Sequence, residues 1–292
     1  MIDLVRAHRG TTCLAGRAIG CALALVLLGL SFRAPARASG AADPTPVTLG
    51  RKIFHDPSLS ASGAMSCATC HDPANRHAPN NGLAVQRGGA SLDVPGVRAV
   101  PSLRYLSTTP AFSFDDEGAP NGGFNRDGRA ADLVTQALRP LFAPHEMANA
   151  SPADLVARLS KAPYAREFRR VFGANVFADP QATMRAMTFA LAQYQSRAPE
   201  FRPFDSKYDL FLGGRAMLSP AELRGLRLFN RFDKGNCIAC HPSGRGPDHE
   251  PPLFTDFTYD NLGIPKNNAH PAKRVALTDL GFGAISAGPR GS

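Results

Sequence analysis

Cys67-Ala68-Thr69-Cys70-His71 and Cys237-Ile238-Ala239-Cys240-His241 are the two stretches on which the reading of this chain turns. Each sets two thiols three positions apart and follows them at once with a histidine. On a tight turn, such thiols reach the two vinyl groups of one porphyrin, and the histidine falls beneath the iron as proximal ligand. The pair predicts two covalently attached haem c groups. Cys67, Cys70, Cys237 and Cys240 would be the attachment points, with His71 and His241 as the iron ligands. A four-cysteine zinc ribbon is the first rival, but it wants its pairs roughly 15–20 residues apart. Cys67 and Cys237 stand 170 positions apart. A thioredoxin-type dithiol is the second rival, and it wants a βαβ setting that the flanking sequence lacks.

Working outward to the N-terminus, Arg6, Arg9 and Arg17 precede an apolar run from Ala18 to Leu30, and Ala36-Arg37-Ala38 follows. This is the order of a cleaved export signal. The run is short of the roughly 20 residues a membrane span needs, so residues 1–38 are expected to leave and no stable membrane anchor is expected. With them go five arginines and one acid, which takes the formal charge from +9 to +5. Cys13 and Cys21 go as well, leaving only the four cysteines of the two motifs. The modest remaining charge, with no stripe of interleaved basic and aromatic residues, argues against a nucleic-acid partner. The protein is expected in the periplasm.

Between and around the motifs the signals are helical. Residues 39–48 read as a lead-in, and a short helix from Leu49 carries Ile53 and Phe54 inward. Residues 72–125 are rich in Gly, Pro and Asn and read as long loops over a cofactor. Ser151-Pro152-Ala153-Asp154 and Ser219-Pro220-Ala221-Glu222 are helix starts. Pro180–Ser196 sets Met184, Met187, Leu191 and Tyr194 on one face. The class is all-α. Gly50-Arg51-Lys52-Ile53-Phe54 before the first motif matches Gly225-Leu226-Arg227-Leu228-Phe229 before the second. That repeat predicts two cytochrome c-like haem domains with long loops, 39–202 and 203–292.

Further candidates lie between the motifs. The remaining histidines after residue 38 are His55, His77, His145, His249 and His270. A loop or haem-edge position is the plain reading of each, and His77, six residues past His71, is the best candidate for a distal ligand. Gln136 and Glu146 form a second constellation with Asp127-Gly128-Arg129-Ala130. A carboxylate near an open haem face can move a proton from one peroxide oxygen to the other, and an amide can orient the peroxide. The plainer alternative makes Glu146 a surface acid in the turn after Pro144.

With these residues in place, the chain resembles the bacterial dihaem cytochrome c peroxidases and the related methylamine-utilisation dihaem enzymes. The likeness runs over roughly residues 47–268. Its carriers are Leu49–Phe54, Asp56–Ser62, both CxxCH motifs, Arg98-Ala99-Val100-Pro101-Ser102-Leu103, Asp127–Ala130, Gln136, Glu146-Met147 and Phe254-Thr255-Asp256. The resemblance implies a C-terminal haem at His241 that accepts electrons from a small c-type cytochrome or cupredoxin. It implies an N-terminal haem at His71 that reduces hydrogen peroxide to water, with Glu146 as acid and base and Gln136 as helper. It also implies a bound calcium between the domains and is compatible with a homodimer.

Three departures qualify what it implies. Arg126 stands where the family often has tryptophan. Ala99 replaces an asparagine and weakens the calcium expectation. The segment that would bring a sixth ligand to the His241 haem is not found, and none of Met147, Met184, Met187 or Met217 replaces it; set beside the family, the 203–292 domain is expected to be incomplete. The sequence therefore also fits a haem-binding electron carrier or inactive truncated relative, or an oxidase of a protein or quinone-like substrate.

Overall fold

Four helices open on the same signal, a side-chain oxygen followed by proline: Thr45-Pro46, Ser151-Pro152, Asp179-Pro180 and Ser219-Pro220. The oxygen accepts from a backbone N–H of the first turn, and proline occupies the position whose own N–H would go unused. The structure, a computed structural model, describes residues 43–260, 262–265, 267–272 and 281, so the export signal expected over 1–38 lies outside the described residues.

In chain order the helices are α1 (Pro46–Phe54), α2 (Cys67–Cys70), α3 (Leu133–Phe142), α4 (Pro152–Leu159), α5 (Ala165–Phe172), α6 (Pro180–Arg197), α7 (Lys207–Leu212) and α8 (Pro220–Asn230). The expected lead-in is too long: α1 begins at Pro46, because Thr45 and Thr48 close a capping box. The 72–125 segment is mostly loop, with two small antiparallel ribbons. β1 (Arg87–Gly88) pairs with β2 (Val94–Pro95), and β3 (Ser113–Phe114) with β4 (Pro120–Asn121). The all-α class holds.

The core forms where α1 crosses α6. Leu49, Ile53 and Phe54 of α1 are buried with Met184, Met187, Leu191 and Tyr194 of α6, the face expected from periodicity. Leu155, Leu159 and Phe168 of α4 and α5 complete it. The crossing is close because residue 50 is glycine: a Cβ there would lie 2.0 Å from the Ala190 carbonyl oxygen and 2.7 Å from Tyr194 Cβ. Beyond residue 206 the pattern changes. Neither α7 nor α8 buries a residue, and Leu228, Phe232 and Ile238 are exposed around the second CxxCH. Among the described residues no helix is long and apolar enough to cross a membrane.

Candidate haem and peroxide site

The first CxxCH is a single helical turn. Ser66 and Thr69 close a capping box around α2, and the His71 N–H bonds the Cys67 carbonyl at 2.9 Å. Cys67, Cys70 and His71 thereby face one cavity of about 230 Å³. The histidine is oriented from behind. Its Nδ1 lies 3.0 Å from the Pro101 carbonyl oxygen and 3.3 Å from that of His77. Carbonyls only accept, so Nδ1 carries the proton and the Nε2 lone pair is left for a metal. Burial lowers the His71 pKa to about 4, which keeps the ring neutral, the form that ligates.

The thiols argue in the same direction. Burial pushes Cys67 up to about 12 and Cys70 up to about 11. Neither is disulfide-bonded. Closely spaced thiols followed at once by an imidazole with a free Nε2 suit thioether attachment of a porphyrin with His71 as iron ligand. The second motif repeats the arrangement. The His241 N–H bonds the Cys237 carbonyl at 2.8 Å, and His241 Nδ1 lies 2.7 Å from the Phe254 carbonyl oxygen. Both sets of residues fit a haem.

Two of the sequence runs now have physical roles. Arg98–Leu103 delivers the Pro101 carbonyl to His71, and Arg98 to Asp127 at 2.7 Å. Asp127 is buried and also binds Arg129. Burial alone would raise the Asp127 carboxyl, but the hydrogen bonds from Arg129 and Arg98 outweigh it and hold it below the usual range. These ion pairs brace the cavity wall that carries Arg98, Arg126 and Arg129.

Gln136, from α3, and Glu146 line the same cavity. Glu146 sits on a turn clamped from three sides. The Ala61 N–H bonds the Met147 carbonyl at 2.9 Å, and the Gly89 N–H bonds the Glu146 carbonyl at 2.8 Å. Buried Asn149 donates its side-chain amide to the carbonyls of Leu59 and Leu141. Met147 is buried in the core cluster and, with Glu146, borders the cavity. Burial pushes the Glu146 carboxyl up, partly offset by Arg139.

The expectation for His77 is corrected. Its carbonyl meets His71 Nδ1, which places it on the proximal side; its buried ring stacks on Phe201 with centroids 4.0 Å apart. It lies in the loop behind His71 and is not among the residues that line the cavity. Of the five other histidines, His145 lines the cavity. His145 is one of the five candidate histidines, without a role of its own in the sequence; sequence reasoning missed the clamping Gly88-Gly89 and Asn149. The Gly-Gly dipeptide in an aperiodic loop was the available signal. Met147, Met184 and Met187 are buried in the α1–α6 core, and Met217 is exposed between α7 and α8.

The comparisons with known proteins agree with this geometry. The sequence profile of di-haem cytochrome c peroxidase matches residues 44–217. The chain is 40% identical over 231 residues to methylamine utilization protein MauG of Paracoccus denitrificans, covering 77% of this chain and 58% of that protein. It is 32% identical over 195 residues to cytochrome c551 peroxidase of Pseudomonas aeruginosa, covering 66% and 49%. The crystal structure of the diheme peroxidase BthA from Burkholderia thailandensis superposes with a TM-score of 0.75 at 38% identity, covering 83% of this chain and 60% of that one. The chain thus spans less than two thirds of the length of these relatives.

Proposed function

The chain belongs to the di-haem cytochrome c peroxidase family, and from that premise we propose that it reduces hydrogen peroxide to water in the periplasm, with electrons from a small c-type cytochrome or cupredoxin. The cofactor set is two covalently bound haem c groups. The proposed attachment points are Cys67 and Cys70 with His71 as ligand, and Cys237 and Cys240 with His241. The proposed division is a peroxidatic unit over 39–202 and an electron-accepting unit over 203–292, in a chain exported with loss of residues 1–38.

One observation carries the reading: Glu146 and Gln136 reach the same cavity as Cys67, Cys70 and His71. When bound there, the haem supplies the redox centre that passes electrons to peroxide. The chain supplies the rest. His71 is held in one tautomer by the Pro101 carbonyl. Glu146 takes a proton from one peroxide oxygen and returns it to the other, so that the leaving oxygen departs as water. Gln136 orients the peroxide through its amide. The raised Glu146 pKa brings the carboxyl closer to working pH, where it can both accept and release.

The test is a stopped-flow peroxide assay on holo protein matured in a periplasm and pre-reduced by one electron. Rapid peroxide loss with stoichiometric donor oxidation is expected. No peroxide loss from a protein carrying both haems would overturn the reading and leave an electron carrier. The 40% identity to methylamine utilization protein MauG supports a second reading, in which the oxidising power goes to a protein or quinone-like substrate. Peroxide consumption that needs such a substrate and ignores small donors would favour it.

A further inference from the structure

A second titratable side chain stands beside Glu146. His145 Nε2 lies 3.5 Å from Glu146 Oε1, and both line the cavity. The histidine side chain keeps 11% of its surface and the glutamate 40%. At His71 and His241, Nδ1 is held by a backbone carbonyl. His145 Nδ1 is buried and has no hydrogen-bond partner among the described residues. A buried ring nitrogen of this kind is completed by a water or a ligand.

The pair is held in register by the backbone. A Cβ on Gly88 would lie 2.3 Å from the His145 carbonyl oxygen, and the Gly89 N–H bonds the Glu146 carbonyl. Of the charged groups, Glu146 on the same turn and Arg139 of α3 act on His145 directly, and Arg87, Arg98, Arg126 and Arg129 line the same cavity. Burial and Arg139 favour the neutral imidazole, and burial favours the neutral carboxyl. A neighbouring base and acid shifted toward one another share a proton readily.

Proton accounting shows what such a pair is for. Reduction of one hydrogen peroxide breaks one O–O bond, consumes two electrons from two equivalents of a one-electron donor protein, takes up two protons, and yields two waters. The proton that Glu146 takes from one oxygen and gives to the other is only relocated. Both protons consumed must therefore enter from outside the site. We propose that His145 is the proton inlet of the peroxide site, handing solvent protons from Nε2 to Glu146 and being recharged at Nδ1. It acts through Glu146 and not on the peroxide. This deepens the peroxidase reading and rests on it.

The experiment uses holo protein with both haems attached, as wild type, His145→Gln, His145→Asn and Glu146→Gln. Steady-state peroxide turnover is measured in H₂O and D₂O across pH, with a reduced small c-type cytochrome as donor. Cyanide association with the ferric protein is followed separately. Binding of cyanide from HCN hands one proton to Glu146 and needs no resupply. The His145 variants should lose about 10²-fold in kcat, lose one ionisation from the pH profile, and keep the wild-type cyanide association rate. Glu146→Gln should slow both processes. If Glu146→Gln slows both while either His145 variant keeps wild-type kcat and solvent isotope effect, the inlet assignment falls alone. If the His145 variants slow cyanide association as much as Glu146→Gln does, His145 merely holds Glu146 in place and the inlet is overturned. If Glu146→Gln alters neither process, the acid–base reading of the site falls with it.

Discussion

At the scale of single residues, the proposed chemistry rests on Glu146. Positioned acid–base groups are worth about 10²–10⁴ in rate, so Glu146→Gln should cut peroxide turnover by that factor with both haems still attached. Gln136→Ala should cost less, because the amide orients but transfers no proton; full turnover in Glu146→Gln would refute the ranking. The pH dependence has a definite sign. Glu146 must begin ionised to take the peroxide proton, and burial pushes its pKa above the ordinary carboxylate range. Turnover should therefore fall as pH drops through that raised value, and the acid limb should vanish in Glu146→Gln. An acid limb that survives the substitution would assign it to another group.

At the scale of elements, two glycines carry contacts that no side chain allows. Gly50 lets α1 and α6 meet backbone to side chain at their crossing. Gly50→Ala drives a Cβ against the Ala190 carbonyl and should cost about 1–3 kcal/mol by overpacking, read as a lower midpoint in thermal or denaturant unfolding. Unchanged stability would mean the helices part without loss. Gly88 plays the corresponding part in the β1–β2 ribbon, against the His145 carbonyl. Gly88→Ala should move the Glu146 turn, lowering kcat and slowing cyanide association while haem content stays at two. Equal losses of activity and of haem would show instead that the ribbon holds the whole cavity together.

At the scale of the whole molecule, the two haem motifs stand in unlike surroundings. The first borders a core that the chain builds for itself, whereas α7 and α8 beside the second bury no residue. Leu228 and Ile238 are exposed there, and a haem attached as proposed at Cys237 and Cys240 would offer them an apolar surface. Cys237→Ala combined with Cys240→Ala should yield a one-haem protein by mass. Limited proteolysis should then cut readily beyond about residue 203 while leaving residues 43–202 protected. Uniform protection would show that the C-terminal part folds without its haem. The sequence by itself determined the two attachment motifs, the helical class and the starts of α4, α6 and α8. These are local: CxxCH needs only a tight turn, a capping box spans four residues, and the Met184–Tyr194 face follows from helical period alone. Gln136 and Glu146 were legible through resemblance, as residues without a stated geometry. Only the tertiary structure decided that both reach the cavity of His71. It alone placed the carbonyls of Pro101 and Phe254 behind the two histidines, turned His77 away from the cavity, and held the His145–Glu146 turn under the Gly88-Gly89 clamp. The Pro101 and Gly88 contacts join segments tens of residues apart, and the others run through aperiodic loops, where neither propensity nor spacing records which backbone carbonyl will meet which side chain.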